Sequence, residues 1–267
     1  MQAVLGHVGQ LAQRGYREVV LTGIHIGCYG RDLVPATTLC ELLAHIQTAG
    51  IIDRVRVSSI EPGELCDDII GLAASDAQAR GRLCPHFHIP LQSGDDQVLA
   101  RMHRPYGHDD FRQLVLRIID RLPDAAIGVD TLIGFPGETQ AAFERTFDLI
   151  ASLPVAYLHV FPFSARRGTP AFSFPDPVPP AVIKRRCKQM RRLGSQKRHQ
   201  FYRRFIGRQT RVLVETRQEG LMTGRTDNYV PVRFDGPDVW RNTFRQVEVQ
   251  GLAPDGCPVG TVTFQAE

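Results

Sequence analysis

The chain has 267 residues, 43% of them hydrophobic, which suits one large domain with a smaller one attached. No apolar run reaches the ~18 residues of a membrane span, so no membrane partner is expected. The opening MQAVLGHVGQLAQRGY has neither the basic n-region nor the apolar core of a secretory signal, and the formal net charge is only +4.

That opening predicts an amphipathic helix, with Val4, Leu5, Val8 and Leu11 on one face. EVVLTG (18–23) predicts a strand. Residues 37–50 predict a helix with Leu39, Leu42, Leu43 and Ile46 inward and Gly50 as its stop. RVRVSS (54–59) predicts a strand, residues 63–74 a helix, and HFHIPL (86–91) a strand. Helices follow at DDQVLARM and HDDFRQLVLRIIDRL, then a strand at 125–135, a helix at 138–153 and a strand at 155–163. Strands alternating with helices mean βα units and a parallel sheet. With no dinucleotide fingerprint, the expected fold class is α/β, a barrel or partial barrel.

Residues 164–180 are rich in Pro and Gly and predict a wrapping loop. Pro179 and Pro180 then suit a helix start. Ile183, Cys187, Met190, Phe201 and Phe205 fall on one face of that helix. Between Pro177 and Val214 there is no Asp or Glu, but there are Lys184, Arg185, Arg186, Lys188, Arg191, Arg192, Lys197, Arg198, Arg203, Arg204, Arg208 and Arg211. The other 20 basic residues face all 28 acidic ones, so this block is a local cationic surface suited to a polyanion. From Gly207, the segments TRVLVET, LMTGRT, NYVPVRF, FRQVEVQGL and GTVTFQ alternate like short strands and predict a small antiparallel β-barrel. The expected units are therefore 1–178, a basic connecting helix at 179–206, and a β-barrel at 207–267.

Sites in parallel barrels gather at the C-terminal strand ends. Here those ends carry His25, Ser58, Ser59, Glu61, Gln92, Ser93, Asp130, the loop GFPGET and Phe161 to Ser164. The set suits a ligand with amine, carboxylate and hydroxyl groups. A metal-hydrolase reading competes, because His86 and His88 share one strand face and Asp130 and His159 lie on later strands. Against it, both histidines precede the polar loop, so packing is the expectation for them and no metal is assigned. For the cationic helix leading into a small β-barrel, RNA is the expected partner, with Lys184, Arg185, Arg191, Arg192, Arg198 and Arg225 as cations and Tyr229 as an exposed stacking residue. Cys28, Cys40, Cys66, Cys84, Cys187 and Cys257 are scattered with no CxxC pair, which fits free thiols and a cytoplasmic location.

The segments VVLTGIHIGCYG, RVSSIEP, HFHIPLQSGDDQVLARMHRPY, GVDTLIGFPGET and VFPFSARRGTPA, in this order, resemble the radical S-adenosylmethionine (SAM) methylthiotransferases that modify adenosine 37 of tRNA. LTGIHIG resembles most the branch acting on N6-threonylcarbamoyladenosine, and the last 60 or so residues resemble a TRAM domain, that family's RNA-binding β-barrel. The resemblance implies methylthiolation at adenine C2. In that reaction a [4Fe-4S] cluster reduces SAM to a 5′-deoxyadenosyl radical, a second cluster supplies sulfur and a second SAM supplies the methyl group. It places Thr22, Gly23, Ser59, Glu61, Gln92, Ser93 and Arg104 at SAM, Asp130 to Gly134 beside the adenine, and the tRNA anticodon loop as partner. The chain departs from the family in having no CxxxCxxC triplet, which would supply three thiolates and leave one iron for SAM. The expectation is a C-terminal part of a longer enzyme: a radical SAM partial barrel lacking its first strand, with EVVLTG as a bare edge and no cluster at the family position. The runner-up is a remnant that only binds tRNA.

Overall fold

The computed structural model describes residues 1–79 and 81–263. Its first part alternates strands and helices: α1 (Gln2–Gln13), β1 (Glu18–Leu21), α2 (Leu39–Ala49), β2 (Arg54–Val57), α3 (Asp67–Ala79), β3 (His86–Gln92), α4 (Asp96–Arg101), α5 (His108–Arg121), β4 (Ala126–Ile133), α6 (Gln140–Ser152) and β5 (Tyr157–Pro162). Local chemistry sets the boundaries. Thr38 and Glu41 form a capping box on α2, and Gly50 ends that helix in the left-handed region. Asp95 caps α4 and Thr139 caps α6, each through a side-chain oxygen accepting a first-turn N–H. The third helix starts at Asp67, not at residue 63, because Glu61 to Cys66 are occupied by turns.

All strand pairs in this part are parallel: β1 with β2, and β3–β4–β5 in order. The bridges Val55–Leu83 and Ser59–His88 link the two sheets. Side-chain alternation divides the surface. Val55, Val57, Phe87, Ile89, Leu91, Ile127, Val129 and Ile133 point to one face and form the main core with the helices. Arg54, Arg56, His86, His88, Asp130, Tyr157 and His159 take the other face, where they bond to one another or to the second part of the molecule. Among the described residues β1 pairs only with β2, so its outer edge is bare, and Val20 on it is half exposed.

Helix α7 (Pro180–Arg203) leads to a closed barrel of β6 (Gln209–Gln218), β7 (Leu221–Thr226), β8 (Pro231–Phe234), β9 (Phe244–Leu252) and β10 (Pro258–Val262). The barrel was expected to be antiparallel throughout. It closes instead through a parallel pair, Val259–Arg233 and Gly260–Phe234. The last strand reading, GTVTFQ, and the unit ending at 267 extend into residues 264–267, outside the described residues. Phe201 and Phe205 of the helix end enter the barrel core with Val212, Met222, Val232, Phe234 and Val247. Ala126 and Ala156, at the N-terminal ends of the parallel strands, join the same cluster.

The β7–β8 turn therefore sits against the N-terminal end of the parallel sheet. Arg54 is fully buried and pairs with Glu18 and Asp227, and its Nη1 donates to the Arg225 carbonyl at 3.0 Å. Arg56 Nε donates to Glu18 at 3.1 Å, and its guanidinium reaches the Asp227 and Thr226 carbonyls. Tyr229, at φ 67°, has the Arg56 and Arg225 guanidiniums 4.9 and 4.3 Å from its ring centre and meets the His86 ring at a 32° tilt, 4.5 Å between centres. The expectation of an exposed Tyr229 platform is overturned. Its ring and Arg225 are half-buried in the floor, at the end opposite the C-terminal strand ends.

Candidate functional site

The C-terminal strand ends form one rim, because parallel pairing carries each strand in the same direction. Thr22 and Gly23 follow β1 and are exposed. Ser59, also exposed, follows β2. Glu61 accepts two 2.9 Å bonds from Arg104, so the two residues neutralise each other beside β3. Gln92 ends β3 at φ 64°, where the register slips against β4 and turns the chain sharply toward α4. Gln92 and Arg104 line a cleft of about 260 Å³ with Arg101, Leu132, Phe135 and Phe174. This lies just below the roughly 300–1,000 Å³ of ordinary small-molecule sites.

Two expected residues lie elsewhere. Ser93 is buried; its hydroxyl bonds Thr146 and accepts the Asp95 N–H, so it holds the turn together. Gly134 is also buried, at φ 88°, and a Cβ there would meet Ile183 at 2.4 Å. Its role is the close approach of α7. Asp130 lies deeper on β4 than the rim, on the open sheet face.

There it joins a polar cluster that the sequence reading only half anticipated. His88 Nε2 lies 2.7 Å and His159 Nδ1 3.2 Å from Asp130 Oδ1. Tyr157 Oη contacts His86 Nε2 at 2.8 Å and His88 Nδ1 at 3.2 Å. The hydrolase reading that paired His86 with His88 is thereby corrected. His86 is walled off behind Tyr157, and the three groups that converge are His88, Asp130 and His159. Tyr157 and the paired Arg54 and Arg56 were missed. The available signal was polar residues at alternate positions on neighbouring strands, which shares a face without naming its partners.

Burial, with the charges of Arg56, His88 and Arg225 added, holds the His86 imidazole well below its usual value. The unfolded chain takes up this proton as pH falls through about 6.5, while the folded chain refuses it until much lower. This contribution to stability is thus complete above that pH and is lost below it, by up to about 1.4 kcal/mol per pH unit. Urea midpoints should fall between pH 7.5 and 5.5, and less so in H86Q. Equal pH slopes in the two proteins would remove His86 as the cause.

The cationic helix sorts its charges. Arg186 is buried on Glu138 at 2.7 Å, Lys197 caps the α6 C-terminus at Ala151 and Leu153, and Arg204 and Arg208 hold Asp124. Arg211 reaches the Gly81 and Asp53 carbonyls. These five serve the fold. Lys184, Arg185, Arg192 and Arg198 are exposed and form no ion pair with a described residue, and Arg191 touches only the Val160 carbonyl. At about 100° per residue, Arg185 and Arg192 lie opposite the buried Met190 and Phe201, while Lys184, Arg191 and Arg198 run along the helix edge beside Cys187.

The cysteines do not fit an iron–sulfur cluster. Cys84 and Cys187 are buried in the core and Cys257 lies by the small barrel. Burial pushes the Cys84 thiol up to about 12, and a hydrogen bond to Glu64 raises Cys28. Cluster ligands must be convergent thiolates. Burial likewise raises the Cys40, Cys187 and Cys257 thiols, which disfavours the thiolate form a cluster needs, and no step through a cluster is derived from these residues.

No helix among the described residues is long and apolar enough to cross a membrane. The threonylcarbamoyladenosine tRNA methylthiotransferase MtaB of Thermotoga maritima is 37% identical over 250 residues, covering 92% of this chain and 55% of that protein. The MtaB of Rickettsia prowazekii is 35% identical over 233 residues, covering 87% and 53%. The tRNA-2-methylthio-N(6)-dimethylallyladenosine synthase of Clostridium tetani is 33% identical over 232 residues, covering 86% and 50%. The chain spans about half the length of the curated relatives it matches. Residues 1–150 match the radical SAM superfamily. With more than half of its length in that match and its βα units arranged in parallel, the chain belongs to the radical SAM superfamily.

Proposed function

We propose that this chain is part of an enzyme that methylthiolates adenine C2 of N6-threonylcarbamoyladenosine 37 in tRNA, and that it contributes the SAM-facing rim and an RNA-binding face. The observation that carries the reading is the shared rim: Thr22 and Gly23, Ser59 and Glu61, and Gln92 lie at the C-terminal ends of three strands, and Arg104, from the turn after α4, reaches Glu61. Identities to MtaB proteins run from 31% to 37% and bracket the 33% of the dimethylallyladenosine enzyme, so the threonylcarbamoyl branch rests on the LTGIHIG wording. On this reading Glu61 and Arg104 present a matched charge pair to the zwitterionic end of SAM. The small barrel acts as a TRAM-like module, and Lys184, Arg185, Arg191, Arg192 and Arg198 take tRNA phosphates. The units 1–178, 179–206 and 207–267 divide these tasks.

Fluorescence anisotropy with tRNA tests the RNA face. Five phosphate contacts predict a log–log salt slope of about −3.5 to −4.5. The double substitution R192Q/R198Q should flatten it by about 2. Salt-independent binding, or an unchanged slope in the variant, would remove α7 from the interface. The mismatch of the cysteines with a cluster favours a second statement, that the chain by itself binds without turnover. Anaerobic reconstitution should leave well under one cluster per chain, and near four irons and four sulfides each would sink it.

A further inference from the structure

We propose that His88, Asp130 and His159 form a binding site for one divalent metal ion of zinc type, on the open face of the parallel sheet. The proposal does not depend on the proposed function.

The three side chains come from adjacent parallel strands, β3, β4 and β5, at pairings Pro90–Asp130 and Asp130–His159. A sheet is a stiff frame, so their spacing is set by backbone hydrogen bonds rather than by a loop. One ligand atom from each lies within 4.8 Å of the other two. Zinc bonds of about 2.0–2.2 Å to nitrogen and oxygen need only small rotations from this arrangement. Two neutral imidazoles and one carboxylate make a net −1 donor set, which suits Zn²⁺ and its neighbours Co²⁺ and Ni²⁺ better than Mg²⁺ or Ca²⁺. No cation competes for Asp130 among the described residues, because Arg54 and Arg56 are committed to Glu18 and Asp227.

The surroundings match a held metal. The side chains of His88 and Asp130 are 12% and 19% exposed, whereas His159 is 53% exposed. The site is therefore closed on the sheet side and open on the other, leaving a position for water or an anionic oxygen ligand. Metal-binding histidines present one ring nitrogen and donate the other N–H to a partner. Tyr157 Oη, 3.2 Å from His88 Nδ1, can accept that proton while donating its own to His86 Nε2 at 2.8 Å. This fixes His88 Nε2 as the free donor facing Asp130. Gly128 makes room for the Tyr157 ring, since a Cβ there would sit 2.3 Å from the hydroxyl.

The test is Zn²⁺ equilibrium dialysis of the full, chelator-treated chain, with Co²⁺ absorption as the spectroscopic readout. One ion per chain is expected, with visible ligand-field bands and no near-ultraviolet thiolate charge-transfer band. D130N and H159A should each lower affinity at least about 100-fold, and Y157F by about 10- to 100-fold. H45A, an exposed histidine on α2, should change nothing. The half-exposed position of His159 keeps that variant folded, and circular dichroism checks it. Absence of stoichiometric binding would overturn the proposal and leave a hydrogen-bonded triad. So would binding that survives D130N or H159A, or a thiolate band marking the cysteines as ligands.

Discussion

E18Q is expected to lose about 3–5 kcal/mol of stability, a large part of the roughly 5–15 kcal/mol that a domain of this kind has in all. The Glu18 carboxylate is shared by Arg54 and Arg56, whose side chains are 1% and 3% exposed. Removing its charge leaves Asp227 as the one remaining carboxylate for two buried guanidiniums. Breaking a buried network from one side costs more than the network itself contributes, because the desolvated partner keeps its charge. The same groups tie β1 and β2 to the β7–β8 turn, so loosening should appear in both parts together. Urea denaturation followed by circular dichroism, and by the single tryptophan, Trp240, in the small barrel, should show a lowered midpoint by both probes. A shift under about 1 kcal/mol would mean that water already reaches the floor and screens these charges.

G128A is expected to be nearly as costly. Gly128 sits under the Tyr157 ring, and an added Cβ would stand 2.2 to 2.5 Å from three of its atoms. Tyr157 is packed against β4, so the ring has to move. Overpacking of this kind costs about 1–3 kcal/mol. Displacing the hydroxyl also strands His86 Nε2 and His88 Nδ1, for about another 1–3 kcal/mol. Y157F separates the two effects, since it removes the hydroxyl without the clash. Thermal melting should rank wild type above Y157F and Y157F above G128A. A G128A protein as stable as Y157F would show that the ring slides at no cost, and the clash account would fail.

Much of the fold is legible in the sequence alone. Leu39, Leu42, Leu43 and Ile46 repeat at helical spacing with Gly50 behind them, and Val55, Val57, Ile89 and Val129 sit in β-branched runs. Period and capping are short-range properties, so they survive in the sequence as local pattern. The candidate site was chosen for the same reason: strand ends can be found from period alone, which led to Gln92, Ser59 and Glu61 as candidates.

What stood in the sequence by itself was therefore the kind and order of the elements, the parallel sense of the first sheet, the cationic block and the motif wording that resembles the methylthiotransferases. What only the tertiary structure decided was the use made of each face. Alternation puts Arg54 beside Arg56 and His86 beside His88, but not what covers them. Their covers, Asp227 and Tyr229, come from a turn more than 140 residues downstream. The same holds for Arg186, counted as a surface cation yet buried on Glu138, and for Ser93, a candidate ligand turned onto Thr146. The parallel closure of β10 on β8 likewise leaves no trace in short alternating strands. Charge, hydroxyl and ring are readable one residue at a time, whereas desolvation and pairing depend on which distant backbone arrives to exclude the water.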